Sequence, residues 1–311
     1  MTIEQTTTDI TTTIEHETRT GRGTGSVALC SPVPLEDIEA ALLRRFAVVH
    51  RFDAIPDTDP DVDLLLAAES CFGEPGQLKP SWILDSGDVR VLADDDADPL
   101  GHPIPALGRA AKRALDLLAA SAALLALSVP LAVGALMVFL DTGRPILHRG
   151  RRVGEGGRTF DALKLRTMHV DNDPAAHQAY VEGLMKGTAG KQDGMYRLAN
   201  DPRITRSGEP LRKFAIDEIP QLWNVIQGDM SLLGPRPPMD REALVYSGRA
   251  WRRMRVKPGV TGLWQVEAHG EVGFDEMVEL DVRYWKTWSF INDVKLLLRT
   301  PGVVLGSRGF R

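Results

Sequence analysis

The stretch Lys112–Pro145, KRALDLLAASAALLALSVPLAVGALMVFLDTGRP, decides the fold, because it contains 24 consecutive residues without a charge, Leu117 to Leu140. A run of that length can span a bilayer as one helix. Ser128 and Pro130 interrupt it near the middle, where proline removes a backbone hydrogen bond and the serine hydroxyl can satisfy part of what is freed. The sequence therefore predicts a membrane segment at residues 114–140 whose helix is broken at Ser128 and Pro130.

Basic residues flank this run on both sides and bear on its topology. They are Arg109, Lys112 and Arg113 before it and Arg144, Arg149, Arg151 and Arg152 after it. Positive charge beside a membrane segment favours the cytoplasmic side, so both ends are expected there. Two arms of about 12 residues, each roughly 18 Å long, would then enter and return without crossing the ~30 Å hydrocarbon core. These lengths favour a re-entrant helix over the two alternatives, a single spanning helix and a buried core helix.

Charge divides the 311 residues into an acidic first part and a basic second part. The first 100 residues hold 20 Asp and Glu against 7 Lys and Arg, and the remainder holds 22 against 30. A basic balance is typical of contact with anions such as a phosphorylated substrate or a lipid headgroup surface. Nucleic acid is retained only as an alternative, since no recognition module is visible. Cys30 and Cys71 show neither metal-ligand spacing nor a disulfide framework.

Composition also predicts how the chain is organised. Residues 1–30 are Thr-rich and are expected to form a disordered tail. Residues 31–98 predict a small acidic domain of unassigned role, with helical periodicity in LEDIEAALLRRFAVV and a strand or two further on. Residues 99–108 read as a linker, and residues 109–311 carry all the motifs that suggest chemistry.

The segment after the membrane run predicts a β-hairpin. PILHRGRRVGEGGRTFDALKLRTM reads as a strand, a turn at Gly154, Gly156 and Gly157, and a second strand from Phe160. Flanking Arg and Lys make the turn compatible with a phosphate cradle as well as with a plain hairpin, and both interpretations stay open. The polar residues 171–199 are predicted to form an insertion or a lid.

An adjacent acid pair, Asp217 and Glu218, precedes a helical pattern. Ile219, Leu222, Trp223 and Ile226 recur at helical spacing and predict an amphipathic helix. Asp217 would then be the N-cap and Glu218 part of the first turn, with Pro220 early enough to be tolerated. Taken alone, the pair is explained by capping.

The basic residues around the pair point to phosphoryl chemistry instead. They are Arg203, Arg206, Arg212, Lys213 and Arg236. Arginine forks bind phosphate oxygens, and a helix N-terminus adds attraction for anions. Two carboxylates among arginines can hold Mg²⁺ together with a diphosphate, and a carboxylate can itself attack phosphorus.

Six features in a fixed order resemble the bacterial sugar transferase family, the monotopic polyprenyl-phosphate phosphoglycosyl transferases. They are KRALDLL, the break at Ser128 and Pro130, FDALKLRTM, NDPRITRSGEPLRKFAIDEIPQLWNVIQGDMSLLGPRPP, KPGVTGLWQV and LDVRYWKTWSFINDVKLLLRT. The resemblance covers roughly residues 109–311 and leaves out the first hundred. It implies a mostly helical α+β fold, a membrane-associated monotopic catalytic domain with a re-entrant, Pro-broken N-terminal membrane helix, short strands and amphipathic interfacial helices.

The resemblance also implies roles for single residues. Asp217 would be the nucleophile that attacks the sugar-bearing phosphorus of a UDP-sugar, expelling UMP, after which a polyprenyl phosphate attacks the enzyme-bound sugar phosphate. Glu218 would help to hold Mg²⁺ or assist one of the two steps, a division that stays open. Both acids are the expected Mg²⁺ ligands. The substrate-binding candidates are Lys164, Arg166, Arg203, Arg212 and Arg236, which would neutralise charge together with the metal.

The expected partners are a UDP-sugar, a polyprenyl (undecaprenyl) phosphate and the cytoplasmic leaflet of the bacterial inner membrane, with a homo-oligomer left open. The reaction would begin the assembly of an exopolysaccharide or another surface glycan. The alternative function is a catalytically silent membrane anchor or scaffold of a glycan-assembly complex.

Two groups of residues leave further questions open. The aromatics Tyr284, Trp285 and Trp288 suit either a membrane interface or core packing. Gly150 stands where family members usually carry glutamine, and Glu267, Ala268 and His269 stand where many carry Ser-Gly-Arg. If these positions contact the sugar or the nucleotide, the donor preference departs from that of typical members.

Overall fold

The computed structural model describes residues 102–170, 201–268 and 272–306, together with five strands within the first hundred residues. The chain forms two compact units, one of residues 1–100 with 156–158 and 244–252, and one of the remaining residues. The fold is α+β and mostly helical with short strands, as predicted. The predicted insertion at 171–199 and His269 lie outside the described residues.

The first unit contains a five-stranded sheet in the order β1-β3-β2-β4-β5. Its strands are β1 (Thr12–Glu15), β2 (Ser26–Cys30), β3 (Val48–Phe52), β4 (Leu64–Ala68) and β5 (Asp88–Leu92). Only β1 runs antiparallel to its neighbour, and the other pairs are parallel. Strands β1 and β2 therefore lie within the tail that was expected to be disordered. The helix predicted from LEDIEAALLRRFAVV ends in β3 and otherwise falls outside the described residues.

The second unit begins with two helices, α1 (Ala106–Ala126) and α2 (Ser128–Thr142), that meet at Leu127. The chain bends by 60° there, and Ser128 Oγ donates to the Leu125 carbonyl at 2.8 Å. The break and the compensating hydroxyl were both predicted. By length and composition no single described helix could cross a membrane, whereas this bent pair taken together could.

The start of α1 differs from the predicted linker at residues 99–108. Ile104 has 2% of its surface exposed and packs in a core cluster, and α1 begins at Ala106 directly after Pro105. Proline suits a helix start because it lacks the N–H that would otherwise be unpaired there. The described residues of this stretch, 102–108, therefore belong to the second unit.

The predicted hairpin follows α2. Strand β6 (Leu147–Val153) pairs antiparallel with β7 (Thr159–Leu165), and a 3₁₀ turn at Glu155–Gly157 connects them. Gly156 and Gly157 have φ of 68° and 81°, in the left-handed region that glycine favours. The structure therefore explains these two glycines by the turn itself, and phosphate binding at the turn stays a prediction.

Short elements complete the second half of the chain. They are α3 (Gly208–Lys213), a 3₁₀ turn (Ile216–Glu218), α4 (Gln221–Gln227), β8 (Ser231–Leu233), α5 (Asp240–Ala243), α6 (Gly248–Trp251), a 3₁₀ turn (Arg252–Arg255), β9 (Gly259–Thr261), α7 (Leu263–Glu267), α8 (Phe274–Lys286) and α9 (Phe290–Gly306). Strands β8 and β9 are parallel.

The C-terminal aromatic side chains lie in an apolar core. Tyr284 and Trp285 are each 5% exposed and pack with Leu233 and Leu263, while Trp288 is partly buried against the same cluster. Core packing, one of the two interpretations left open, therefore accounts for them. A second cluster joins α1, α4 and β8, and a third joins α2, β7 and α3. The bent pair is thus packed onto the elements that carry the acid pair.

Candidate active site

The acid pair lies in a tight turn between α3 and α4. Successive backbone bonds from Glu218 to Ala215 and from Ile219 to Ile216, of 3.2 and 3.3 Å, form a 3₁₀ turn, and the α-helix begins only at Gln221. The prediction that Asp217 is the helix N-cap is therefore wrong. The helical spacing also placed Trp223 on the apolar, buried face of the helix, whereas 48% of its surface is exposed.

A left-handed residue makes this turn. Ala215 has φ 53° and ψ 23°, and it is the only non-glycine residue in the described part of the chain with positive φ. This conformation costs an L-residue roughly 1–2 kcal/mol. It reverses the chain after α3, so that Asp217 points inward.

Asp217 is a buried carboxyl with a perturbed pKa. Its surface is 6% exposed. Burial and then the neighbouring charge of Glu218 raise its pKa from 3.8 to about 6, against the opposing effect of Lys164 and Arg212. At neutral pH Asp217 is therefore mostly ionised although it is buried.

Glu218 is held differently. Lys164 Nζ on β7 lies 2.5 Å from Glu218 Oε1. Burial would raise the pKa of Glu218, but the charge and hydrogen bond of Lys164, with the charges of Arg236 and Arg152, outweigh it and lower the pKa. The two adjacent acids thus have pKa values pushed in opposite directions, a pattern typical of paired catalytic carboxyls.

Of the five basic candidates, the structure brings three to the acid pair. Lys164 contacts Glu218, Arg212 at the end of α3 acts on the pKa of Asp217, and Arg236 acts on that of Glu218. Two contacts hold the loop of Arg236 in place. Arg253 donates to the Arg236 carbonyl at 3.0 Å, and Arg253 is itself paired with buried Asp281 at 2.8 Å. The Arg236 side chain is left exposed.

The other two candidates have partners elsewhere. Arg203 pairs with Asp201 at 2.6 Å in the loop before α3. Arg166 is 5% exposed and donates to Thr142 Oγ1 and to the carbonyls of Thr142 and Gly143, at 2.6 to 2.9 Å, at the end of α2. Arg166 thus satisfies the unpaired carbonyls of a helix terminus. Substrate binding by either arginine stays a prediction.

Two residues of the site were missed at the sequence level. Arg152 lies on the face of β6 that also carries Gly150, which pairs with Ala162, and His148, which pairs with Lys164. Asn224 on α4 is 2% exposed, accepts from the Leu163 amide at 2.9 Å and donates to the Asp161 carbonyl at 2.8 Å. The hairpin register would have revealed Arg152, because residues two apart on a strand share a face.

Asn224 fixes the distance between β7, which carries Lys164, and α4, which follows the acid pair. Its two bonds to β7 flank Ala162, two positions before Lys164, and its own helix begins three residues after Glu218. An amide side chain can accept and donate at once, so it pairs with the strand edge as another strand would. Lys164 therefore reaches Glu218 from a fixed position.

The donor set at the acid pair is compatible with Mg²⁺. Among the described residues no group of three or more His, Cys, Asp or Glu side chains could hold a metal. Mg²⁺ needs no such cage, since it is commonly held by one or two carboxylates together with substrate phosphates and water. Asp217 and Glu218 supply that number, although Lys164 already engages one Glu218 oxygen.

Of the positions that depart from the family pattern, Gly150 is on β6, Glu267 is the last residue of α7 and Ala268 follows it. A Cβ at Gly150 would lie 3.4 Å from His148 Nε2, an ordinary contact, so a side chain at this position would adjoin the imidazole. Burial, Arg152 and Lys164 lower the pKa of His148, which favours the neutral ring. Glu267 is exposed and paired with Arg283. The effect of these departures on donor preference stays a prediction.

Comparison with known proteins gives one family and several relatives. The family model for bacterial sugar transferases matches residues 107–307. A UDP-galactose-lipid carrier transferase of Erwinia amylovora is 40% identical over 198 residues, which are 64% of this chain and 41% of the relative. The exopolysaccharide production protein ExoY of Rhizobium meliloti is 38% identical over 204 residues, 65% of this chain and 89% of the relative.

A third relative carries the name UDP-glucose:undecaprenyl-phosphate glucose-1-phosphate transferase. This protein of Caulobacter vibrioides is 42% identical over 213 residues, 64% of this chain and 72% of the relative. The chain spans less than half the length of the Erwinia amylovora relative and most of the length of the Rhizobium meliloti relative. All three matches fall short of the chain's full length by about a third.

Proposed function

Because the chain belongs to the bacterial sugar transferase family, we propose that it transfers a sugar 1-phosphate from a UDP-sugar to a polyprenyl phosphate and releases UMP. The names of the relatives from Caulobacter vibrioides and Erwinia amylovora describe transfers of this class. The name of the Rhizobium meliloti relative supports a place at the start of exopolysaccharide assembly. The observation that carries the proposal is the acid pair, with Asp217 buried and Glu218 held ionised by Lys164.

The proposed reaction has two displacements at one phosphorus atom. A carboxylate oxygen of Asp217 attacks the sugar-bearing phosphorus, forms a P–O bond to it and breaks the bond to the bridging oxygen, which leaves with UMP. A phosphate oxygen of the polyprenyl phosphate then attacks the same phosphorus and breaks its bond to Asp217. The carboxylate is regenerated, and the product is a polyprenyl diphosphate sugar.

The environment of Asp217 suits the first displacement. A desolvated carboxylate with a pKa of about 6 is more basic than an ordinary aspartate yet remains mostly ionised at neutral pH. Lys164, Arg212 and Arg236 place positive charge around it, which favours binding of a diphosphate and stabilises the charge that develops on the leaving group. Mg²⁺ held by Asp217 and Glu218 would add Lewis-acid neutralisation of the diphosphate.

We place this chemistry at the cytoplasmic face of a membrane, where a soluble nucleotide sugar and a lipid phosphate can meet. Exposed apolar side chains on the helices support this location. They include Leu118, Leu125, Val129 and Leu140 on the bent pair and Ile291 and Leu298 on α9, each at least 65% exposed. An apolar surface of this kind is typical of a membrane or protein interaction site.

The test separates the two displacements. The purified full chain, in detergent with Mg²⁺ and a panel of UDP-sugars but no acceptor, is expected to release about one UMP per enzyme and then stop. Addition of polyprenyl phosphate is expected to start continuous turnover. Chelation of Mg²⁺ by EDTA is expected to suppress both phases.

Variants assign the nucleophile. Asp217→Asn is expected to abolish the single release and the turnover, whereas Glu209→Gln, which neutralises an exposed acid on α3, keeps both. UMP release that persists in Asp217→Asn would contradict the covalent scheme. Absence of UMP release from the native chain with every UDP-sugar, acceptor present, would contradict the proposed activity.

A further inference from the structure

Three charged side chains at the base of α1 face the protein rather than solvent or lipid. Lys112 and Asp116 lie one turn apart on one face of the helix and are 8% and 4% exposed, and Arg113 adjoins them. The sequence had suggested that Lys112 and Arg113 mark the cytoplasmic end of a membrane segment. Charges this deep in the folded unit must have specific partners, because an unpaired buried charge is costly.

Arg113 binds the end of the helix that follows the acid pair. Its Nη1 donates to the Val225 carbonyl at 2.5 Å and its Nη2 to the Ile226 carbonyl at 2.7 Å. These carbonyls belong to the last turn of α4, where helical partners run out. Gly228 ends the helix with φ 100°, and a Cβ there would come within 3.5 Å of Arg113 Nη2. The positive φ therefore explains the glycine, and the guanidinium lies at ordinary contact distance from it.

Asp116 and Lys112 bind the strand that comes next. Asp116 Oδ1 accepts from the Leu232 amide at 2.9 Å and from Ser231 Oγ at 3.0 Å. Lys112 Nζ donates to the Leu233 carbonyl at 2.9 Å. The ammonium also binds Asp293 at 2.9 Å and the Tyr284 hydroxyl at 3.0 Å, which anchors it to α8 and α9.

Apart from the bonds of Lys112 to Tyr284 and Asp293, these bonds converge on one short segment, Val225–Leu233. Its first end is the helix that starts three residues after Glu218, and its last residue stands three positions before Arg236. The two ends of the segment therefore set the positions of the acid pair and of Arg236, a basic residue that acts on it. Helix α1 reaches both ends of the segment through side chains within five consecutive positions.

We propose that Lys112, Arg113 and Asp116 form a clamp at the base of α1 that positions the acid pair and Arg236 for catalysis, as positioning residues that touch no substrate. The clamp links the base of α1 to the relative positions of the acid pair and Arg236. The inference deepens the proposed function and rests on it. Loss of one clamp bond would move reacting groups relative to one another, and a displacement of about 1 Å can lower a rate by roughly a hundredfold.

The first test measures the clamp without measuring activity. Hydrogen–deuterium exchange of the full chain in detergent should show faster uptake in peptides covering 225–236 for Asp116→Ala. Asp116→Asn should retain protection, because its amide oxygen can accept the same two bonds. Unchanged uptake in Asp116→Ala would overturn the clamp, and this readout decides the question even if the native chain releases no UMP.

The second test uses two arginines of the same helix. Arg113→Gln is expected to lower kcat at least tenfold while changing KM for the UDP-sugar less than about threefold, because bound substrate meets a displaced acid pair. Arg109→Gln removes the same charge one turn earlier, where the guanidinium binds only the Ile104 carbonyl among the bonds described, and should stay within about twofold of the native kcat.

Comparison of Arg113→Gln with Arg109→Gln distinguishes positioning of the acid pair from binding of the positive charge to a membrane. If both variants lose activity equally, the positive charge acts on the membrane and the clamp is wrong. If Arg113→Gln keeps the native kcat, the clamp is wrong as well. Arg113→Lys, which keeps the charge but cannot reach both carbonyls as a fork, should fall between the native chain and Arg113→Gln.

Discussion

At the scale of single residues, burial and one neighbour give Asp217 its chemistry. An exposed aspartate is ionised but weakly basic, whereas Asp217 has a pKa of about 6 and still carries its charge at neutral pH. The cost is a buried charge in the native state. Glu218 avoids the same cost because the Lys164 ammonium lies 2.5 Å from its carboxylate. The pair thus combines one acid whose ionised form is destabilised by burial with one acid whose ionised form is stabilised by a lysine.

This cost predicts a pH-dependent gain of stability in Asp217→Asn. The native state binds the Asp217 proton more tightly than the unfolded chain, so the free energy of unfolding falls as pH rises from about 4 to 6. Two pKa units correspond to about 3 kcal/mol. The variant, which cannot ionise, should be about 1–3 kcal/mol more stable than the native chain at pH 8 and gain little at pH 4. Thermal unfolding in detergent at the two pH values measures this difference.

Glu209→Gln is the control for charge alone, and its unfolding temperature should follow that of the native chain at both pH values. A destabilised Asp217→Asn at pH 8 would contradict the prediction. It would mean that the Asp217 carboxylate is stabilised by its basic neighbours rather than strained.

At the scale of elements, β7 carries two basic residues with separate tasks. Lys164 reaches the acid pair, and Arg166, two positions later, binds the end of α2. We predict that Lys164→Gln lowers kcat by about a hundredfold or more, because it removes a preorganised charge from the site. Its unfolding temperature should also fall, because Glu218 loses the ammonium that offsets its burial, so kcat is measured well below the unfolding transition.

Arg166→Gln is the matched variant and should lose stability without the loss of catalysis. It leaves the Thr142 and Gly143 carbonyls without their arginine, so it should lower the free energy of unfolding by about 2–3 kcal/mol while KM for the UDP-sugar stays near the native value. Kinetics and thermal unfolding of both variants check the pair. A raised KM with unchanged stability in Arg166→Gln would instead support the substrate-binding role that the family resemblance implies.

The elements that could be predicted are those that local chemistry determines. Pro130 and Ser128 mark the break between α1 and α2, and the glycines at 156 and 157 mark the hairpin turn. The start of α4 could not be predicted in the same way. The left-handed Ala215 and the run of i to i+3 bonds after it depend on packing, because nothing in an alanine favours that conformation.

The candidate site shows the same limit. The acid pair, Arg212 and Arg236 stand out in the sequence because acids among arginines suggest phosphoryl chemistry, whereas Lys164 was expected only from the family resemblance. Arg152 and Asn224 emerge only from the register of β6 and β7 and from the packing of α4. The partners of Lys112 lie 121 to 181 positions away, so a local pattern could not separate this lysine from a membrane flank.

At the scale of the whole molecule, the bent pair has a polar base and an apolar tip. One face of α1 is buried in the second unit as far as Ala120, and α2 is buried again from Gly134. The tip between them exposes Leu125 and Val129 by 77% and 70%. Ala123, Leu124 and Leu131 still pack against the core clusters, so about three residues on each arm lie beyond the packed part. They amount to roughly 5 Å of helix, about a sixth of the ~30 Å hydrocarbon core.

This arrangement predicts that the two ends of the pair are on the same side of the membrane. Single cysteines at Leu107 and Arg151, both exposed, are introduced into a chain in which Cys30 and Cys71 are serines. Both should react with a membrane-impermeant maleimide in inside-out vesicles, and neither should react in intact spheroplasts. The native Lys112 position is unsuitable as a probe, because its side chain is buried. Labelling of the two cysteines from opposite sides would mean that the helix pair crosses the bilayer, and a tip only about 5 Å long on each arm could not do so without the α1 base leaving the protein.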